Sequence, residues 1–213
     1  MDIDFATEET CTLFSYEFSR SGKYNANKCF NLLSKLIPVY LSYPHLFEGK
    51  QILDFGSGQG EHTFFLNHFG KKIYSFDPIK SNALTQFRIF YDFESIKVLR
   101  HESECYDKFD TFLAISLLHL IENPVNWIKT ITSKVKADNY VFITKEYSEE
   151  ESLQVADQID YDILFNRQTT VFSKINADEL FDTLILDFNI ERFDFKDFSG
   201  WNRVALILNK KVD

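Results

Sequence analysis

The sequence predicts an α/β fold, namely a doubly wound, mostly parallel seven-stranded sheet that ends in an antiparallel C-terminal hairpin. Two observations support this prediction. Short apolar segments alternate with helix-like segments through the middle of the chain, which is typical of parallel βαβ units. Near the C-terminus, two strand-like segments are separated only by Ser199-Gly200-Trp201, a spacing that indicates a hairpin.

The composition predicts one domain spanning residues 1–213. The chain has 213 residues, of which 45% are hydrophobic and 26% charged, as in an ordinary globular protein with a single core. Neither an internal repeat nor a Pro/Gly-rich linker divides it. The formal net charge of -9 argues against nucleic acid as a partner, because binding to a phosphate backbone requires clustered Lys and Arg.

The sequence also predicts a cytoplasmic protein without a membrane partner. It has no apolar run long enough for a bilayer span, and MDIDFATEET resembles no secretory signal. The three cysteines Cys11, Cys29 and Cys105 are widely spaced, which indicates neither a disulfide framework nor a zinc site.

The elements follow from periodicity and from the residues that begin or end helices. Residues 26–43 show helical spacing interrupted by Pro38, which predicts one kinked helix. Ser81 is the predicted N-cap of a later helix, and Pro124 opens another. The predicted strands are QILDF, KIYSFD, SIKVLR, FDTFLAISLL, NYVFITKE, NIERFDFKDF and NRVALILNK, and the other predicted helices are EHTFFLNHFG, SNALTQFRIFYDF, PVNWIKTITSKV and ADELFDTLIL.

A glycine-rich loop, DFGSGQG, follows the first predicted strand. The dinucleotide fingerprint GxGxxG fails because Glu61 stands where the third glycine belongs, and no Gly-Lys-Ser/Thr follows to make a P-loop. The remaining pattern is DxGxGxG. Its acid, Asp54, would repel a pyrophosphate but suits a ligand that carries an amine or a positive charge.

A second acid, Asp77, closes the next predicted strand. An acid about 20 positions beyond such a loop can accept both hydroxyls of a ribose. The alternative is that Asp77-Pro78 only turns the chain.

With these features, the chain resembles the class I S-adenosylmethionine-dependent methyltransferases of the small-molecule type. The resemblance rests on "ILDFGSGQGEHTFFL", "IYSFDPIKSN" and "YDKFDTFLAISLLHLIENPVNWIKTITSKVKADNYVFIT", and it covers residues 50–145. It implies a Rossmann-like sheet and S-adenosyl-L-methionine as cofactor. The implied cofactor-binding residues are Asp54, Gly56, Ser57, Gly58 and Gly60 for the methionine part, Asp77 for the ribose, Ile79, Glu102 and Ser103 for the adenine, and also Pro78 and Ser116.

The implied reaction is an in-line methyl transfer to an O or N atom of a small-molecule acceptor. His119 is the first candidate base and Glu146 the second. The alternatives are a packing role for the histidine and a solvated loop for the glutamate. Tyr147, Phe165 and Arg167 are the candidate acceptor-binding residues. A protein or RNA methyltransferase, or a non-catalytic scaffold of the same fold, is the alternative function. No metal is expected.

The resemblance also divides the chain into functional regions. Residues 1–45 form an expected helical lid, with Tyr16, Phe18, Arg20 and Tyr24 as candidates to close over the cofactor. Residues 46–146 form the cofactor-binding core, 147–175 an acceptor-side lid, and 176–213 a C-terminal helix and hairpin.

Overall fold

A computed structural model describes residues 2–18, 26–121, 123–145 and 176–211. Their strands form one seven-stranded sheet. The strands are β1 Gln51–Phe55, β2 Lys72–Phe76, β3 Ile96–Val98, β4 Lys108–Ile115, β5 Lys136–Lys145, β6 Phe188–Lys196 and β7 Asn202–Lys210. The α-helices are α1 Ile3–Phe18, α2 Ala26–Leu33, α3 Ile37–Ser42, α4 Glu61–Asn67, α5 Lys80–Phe90, α6 Pro124–Lys134 and α7 Ala177–Leu184.

The strand order is β3-β2-β1-β4-β5-β7-β6. Strands β1 to β5 pair in parallel, whereas β7 pairs antiparallel with both β5 and β6. The chain builds outward from β1 to β3 and then returns to place β4 on the other side of β1. The predicted fold class is therefore confirmed, and the topological switch point lies between β1 and β4.

The core has one layer on each face of the sheet. Successive strand residues point to opposite faces, so Ile52 packs in one buried cluster and Leu53 in the other. Helices α1 to α5 cover the first face, and α6 and α7 cover the second. Burial on both faces explains why the central strands are nearly continuous apolar runs.

The prediction of one kinked helix over residues 26–43 was wrong. The structure has two helices there, because α2 ends at Leu33 and α3 begins at Ile37, with Pro38 in its first turn. A proline inside a helix removes a hydrogen bond and clashes with the preceding turn, at a cost of about 3 kcal/mol. In the first turn of a new helix the same ring costs little.

The start of α5 also differs from the prediction. Ile79, rather than Ser81, is the N-cap residue, and its own side chain makes no capping hydrogen bond. The carboxylate of Asp77 anchors this helix start instead, by accepting from the backbone N–H of Ile79 and from the side-chain amide of Asn82. Within the described ranges, no helix is long and apolar enough to cross a membrane.

Candidate functional site

The glycine loop lies at the carboxyl end of β1, beside the switch point. Gly56, Gly58 and Gly60 all have positive φ, at 77°, 59° and 103°. This conformation is readily available only to glycine, and it folds the loop back onto the end of β2. There the carbonyl of Phe76 accepts from the N–H groups of Gly56 and Ser57, at 2.8 and 3.1 Å.

The glycines of this loop have different surroundings. A Cβ atom on Gly60 would lie 2.6 Å from the ring of Phe90, so this glycine permits close packing of α4 against α5. A Cβ atom on Gly58 would meet nothing within 4 Å. Gly58 therefore borders open space, as the backbone beneath a ligand must.

Asp77 is bonded directly to this loop. Its Oδ2 accepts from the N–H of Gly58 at 2.7 Å, while its Oδ1 accepts from Ile79 at 2.9 Å and from Asn82 at 3.2 Å. The side chain is buried, and burial raises its pKa above the ordinary value against the opposing effect of these hydrogen bonds. The acid therefore joins the loop to the start of α5 as well as offering oxygens to a ligand.

A buried polar network supports the loop from below, and the sequence did not reveal it. The Nε2 of Gln86 donates to the carbonyl of Gly58 at 2.6 Å and to the hydroxyl of Ser57 at 2.9 Å. The hydroxyl of Ser75 lies 2.8 Å from that of Ser57 and bonds Gln86 as well. From sequence alone, a polar residue in the middle of a helix, such as Gln86, cannot be recognised as buried, because its burial depends on how the helix packs.

Asp54 lies beneath the loop, almost completely buried. Its Oδ2 accepts from the hydroxyl of Thr63 at 2.7 Å. Burial raises its pKa to about 7; the Thr63 hydrogen bond lowers it, and the charges of Asp77 and Glu61 raise it further. Because Glu61 is also buried, three acids surround the loop, and their combined field favours a cationic group in the space above.

The remaining predicted cofactor residues follow β2 and β3 at the same edge of the sheet. Pro78 is exposed and Ile79 partly buried, directly after Asp77. Glu102 and Ser103 are exposed on a short 3-10 helix, Glu102–Tyr106, where the Glu102 carboxylate accepts from the hydroxyl of Tyr106 at 2.8 Å.

Ser116 ends β4 in a strained conformation. Its φ of 54° is the only positive value among the described residues other than glycine, and its N–H donates to the carbonyl of Ile143 at 2.7 Å. The Oγ atom is buried without a hydrogen-bond partner in the described part of the chain. Strain and an unsatisfied hydroxyl at the switch point are features of a ligand site, and with the open space at Gly58 they fit the predicted cofactor.

His119 lies on the 3-10 helix Leu118–Leu120, just beyond β4. Burial lowers its pKa to about 4, and the positive charges of Lys35, Arg203 and Lys145 lower it further. The imidazole is therefore neutral at physiological pH. None of these three cations was a predicted site residue.

Several predicted residues lie outside the described ranges: Arg20, Tyr24, Glu146, Tyr147, Phe165 and Arg167. The expected acceptor-side lid, 147–175, lies outside them too. Of the two aromatic candidates on α1, Tyr16 is exposed beside a cavity it shares with His68 and Phe93, and Phe18 stacks on Phe14. Among the described residues, no group of three or more His, Cys, Asp or Glu is placed to hold a metal ion.

Comparison with known families finds one whose sequence profile matches this chain. The profile of a family described as "Methyltransferase domain" matches residues 23–183. One curated relative, the tRNA U34 carboxymethyltransferase of Campylobacter curvus, is 29% identical over 126 residues. That match covers 55% of this chain and 39% of the relative, so the chain matches about two fifths of the relative's length.

Solved structures share the fold at low sequence identity. A protein from Pyrococcus horikoshii OT3 superposes with a TM-score of 0.61 at 17% identity, covering 84% of this chain and 89% of that one. The N-methyltransferase NodS from Bradyrhizobium japonicum WM9, solved with S-adenosyl-L-homocysteine, gives a TM-score of 0.59 at 11% identity, covering 84% and 86%.

Proposed function

The chain belongs to the methyltransferase-domain family, and from that premise we propose that it transfers a methyl group from S-adenosylmethionine to an acceptor at the carboxyl edge of the sheet. The observation that carries the proposal is the bond between Asp77 and the N–H of Gly58, which places an acid at the edge of the open space above the glycine loop.

The residues around that space match the chemical groups of the cofactor. The carboxylate of Asp77 has lone pairs left for ribose hydroxyls. Asp54 and Glu61 supply negative potential for the amine and the sulfonium, and Ser116 offers a hydroxyl that bonds to none of the described residues. Bound there, S-adenosylmethionine supplies an electrophilic methyl group, so the protein has mainly to orient the acceptor and exclude water.

His119 is the proposed group that receives the acceptor's proton. Because its pKa is low, the imidazole is neutral and carries a lone pair on one ring nitrogen, as proton acceptance requires. A pKa of about 4 makes the free side chain a weak base. An acceptor that offsets the neighbouring positive charges would strengthen it, because fewer like charges then oppose protonation.

We propose an O or N atom of a small molecule as the acceptor. The net charge of -9 supports this choice over a long nucleic acid. A second candidate is a tRNA acceptor, and the observation that favours it is the name of the Campylobacter curvus relative. The shared region covers 39% of that relative, so the rest of its length has no counterpart in the match.

The test is to incubate the protein with S-adenosylmethionine labelled in its methyl group, together with either a metabolite extract or total tRNA. Label in the metabolite fraction is expected, and Asp77→Ala is the inactive control. Label in tRNA alone would assign the second candidate and exclude the first. Calorimetry with S-adenosylhomocysteine tests the cofactor separately, and absence of binding would overturn both candidates.

A further inference from the structure

We propose that the acceptor carries an anionic group, a carboxylate or a phosphate, that binds Lys35, Lys145 and Arg203 at the ends of β5 and β7. These three residues are called the cationic cluster below. The assignment of this anion to a methyl acceptor rests on the proposed function, whereas the anion site itself rests only on the geometry of the cluster.

The sheet register brings two of the cations together. Lys145 is the last residue of β5, and it lies directly opposite Arg203, the second residue of the antiparallel strand β7. Directly opposed residues project from the same face of a sheet. Ile143 and Ala205, the pair two positions away from Lys145 and Arg203 on the same face, belong to the core cluster that also contains Ile52, two residues before Asp54. Both cations therefore lie on the Asp54 face, at the carboxyl edge.

The third cation comes from the turn between α2 and α3. Lys35 is partly buried, and within the described residues no hydrogen bond or ion pair joins its ammonium group. Burial lowers its pKa to about 8; the charge of Arg203 lowers it further, while Asp197 and Glu61 raise it. An anion that enters beside such a partly buried cation would stabilise it, because the cation has lost part of its hydration.

Neighbouring side chains hold Arg203 and Lys145 in place. Asp197 Oδ2 accepts from Arg203 Nε at 2.9 Å, and its Oδ1 accepts from the backbone N–H groups of Ser199 and Trp201. The ammonium of Lys145 lies 3.1 Å from the centre of the Trp201 ring. Asp197 and Glu61 are the carboxylates that act on Lys35. The charges of Lys35 and Arg203 oppose each other, and an anionic group bound beside them would relieve that repulsion.

The cluster also adjoins the proposed proton acceptor. Lys35, Arg203 and Lys145 are the charges that act on His119. An anion bound among them would offset their effect and raise the basicity of the imidazole when the acceptor is in place. The cluster would in this way couple recognition of the acceptor to proton removal.

Trp201 provides a spectroscopic report on this site. The chain has two tryptophans, and a Trp127→Phe background leaves Trp201 as the only one. We would titrate this protein at constant ionic strength with benzoate, with phenyl phosphate and with neutral benzamide. A saturable change in fluorescence is expected with an anion and not with benzamide, and the tighter anion identifies carboxylate or phosphate as the recognised group.

Two lysine variants give the matched comparison. Lys35→Met should weaken anion binding about 10-fold or more, as loss of a partly buried cation predicts. Lys136→Met, which removes an exposed lysine at the opposite end of β5, should leave it unchanged. Equal behaviour of the two variants, or benzamide binding as tight as anion binding, would overturn the proposal. If Lys35→Met does not fold, the preference for anions over benzamide and the retention of binding in Lys35→Arg decide the question.

Calorimetry with S-adenosylhomocysteine on the same preparations separates the two proposals. Binding of S-adenosylhomocysteine without any preference for anions would refute the anion site alone. Anion binding that depends on Lys35, in a protein that does not bind S-adenosylhomocysteine, would refute the proposed function and leave the anion site standing.

Discussion

The carboxylate of Asp77 accepts a hydrogen bond from the backbone N–H of Gly58 at 2.7 Å, across 19 positions of sequence. The bond makes the glycine loop and the acid after β2 one structural unit. A ligand above the loop would therefore meet a preorganised acid, and preorganisation lowers the entropic cost of binding.

The first prediction concerns this acid. Asp77→Ala should weaken binding of S-adenosylhomocysteine by about 2 kcal/mol or more, roughly 30-fold, because hydrogen bonds to a charged group are lost. Calorimetry measures the effect. Asp92→Ala, at an exposed position just beyond α5, is the control and should bind as the unmodified protein does. Equal affinities for the two variants would show that Asp77 does not contact the ligand.

The second prediction compares two glycines with the same local constraints. Gly58 and Gly49 have φ of 59° and 67°, and a Cβ atom on either meets nothing within 4 Å. Alanine at either position should lower the free energy of unfolding by about 1 kcal/mol through backbone strain. Only Gly58→Ala should also weaken S-adenosylhomocysteine binding, because its methyl group enters the open space above the loop. Urea denaturation and calorimetry measure the two effects, and a loss of affinity in Gly49→Ala would contradict the assignment.

The third prediction concerns Asp54 and pH. Its pKa of about 7 in the folded protein lies above the ordinary 3.8, so between these values the folded state holds a proton that the unfolded state lacks. The contribution of this protonated carboxyl to the stability of the fold is complete below about pH 4 and is lost as the pH rises through 7. Asp54→Asn stays neutral and escapes this loss. Its stability relative to the unmodified protein should therefore rise between pH 4 and 7, by on the order of a few kcal/mol, and then level off.

Urea denaturation at a series of pH values tests this expectation. The lowered pKa values of His62 and His119 act in the opposite direction, but they are present in both proteins and largely cancel in the difference. A difference in stability that does not change with pH would mean that Asp54 is ionised throughout the range.

The fourth prediction concerns the charge around His119. Lys35→Met removes a positive charge that disfavours the imidazolium, so the pKa of His119 should rise from about 4. A pH titration followed by NMR of the histidine ring protons measures the change. Lys136→Met should leave the titration of His119 unaltered. If Lys35→Met also left it unaltered, the charge of Lys35 would not act on the histidine.

The sheet and the glycine loop were predictable because their signals are local. Apolar runs, a DxGxGxG loop and Asp77 at the end of the next strand are each visible within a few residues. The prediction of a kinked helix at Pro38 was wrong because a proline is compatible both with a bent helix and with the first turn of a new helix. Only tertiary packing decides between the two. Helix α1 was anticipated only as part of a helical lid, whereas its residue Phe14 is packed against the rings of Phe64 and Phe90.

The cationic cluster was missed for a different reason. Lys35, Lys145 and Arg203 are far apart in sequence, and each stands at the border of an apolar element, where a charged residue ordinarily faces solvent. Their proximity depends on the register of β5 with β7 and on the placement of one helix turn. Gln86 was missed likewise, because a single polar side chain on a helix becomes recognisable only when its partner loop is in place.

Strand β7 is antiparallel to its neighbours. As a result, the residues proposed for the cofactor and those proposed for the acceptor come from distant parts of the sequence. The loop and acids proposed for the cofactor come from residues 54–77, whereas the turn of residues 197–201 reaches the same edge of the sheet from the far end of the sequence. That short turn is thus a natural place to diversify acceptor choice. If Arg203 binds the acceptor as proposed, replacing this turn would change which acceptors bind and leave the residues proposed for the methyl donor intact.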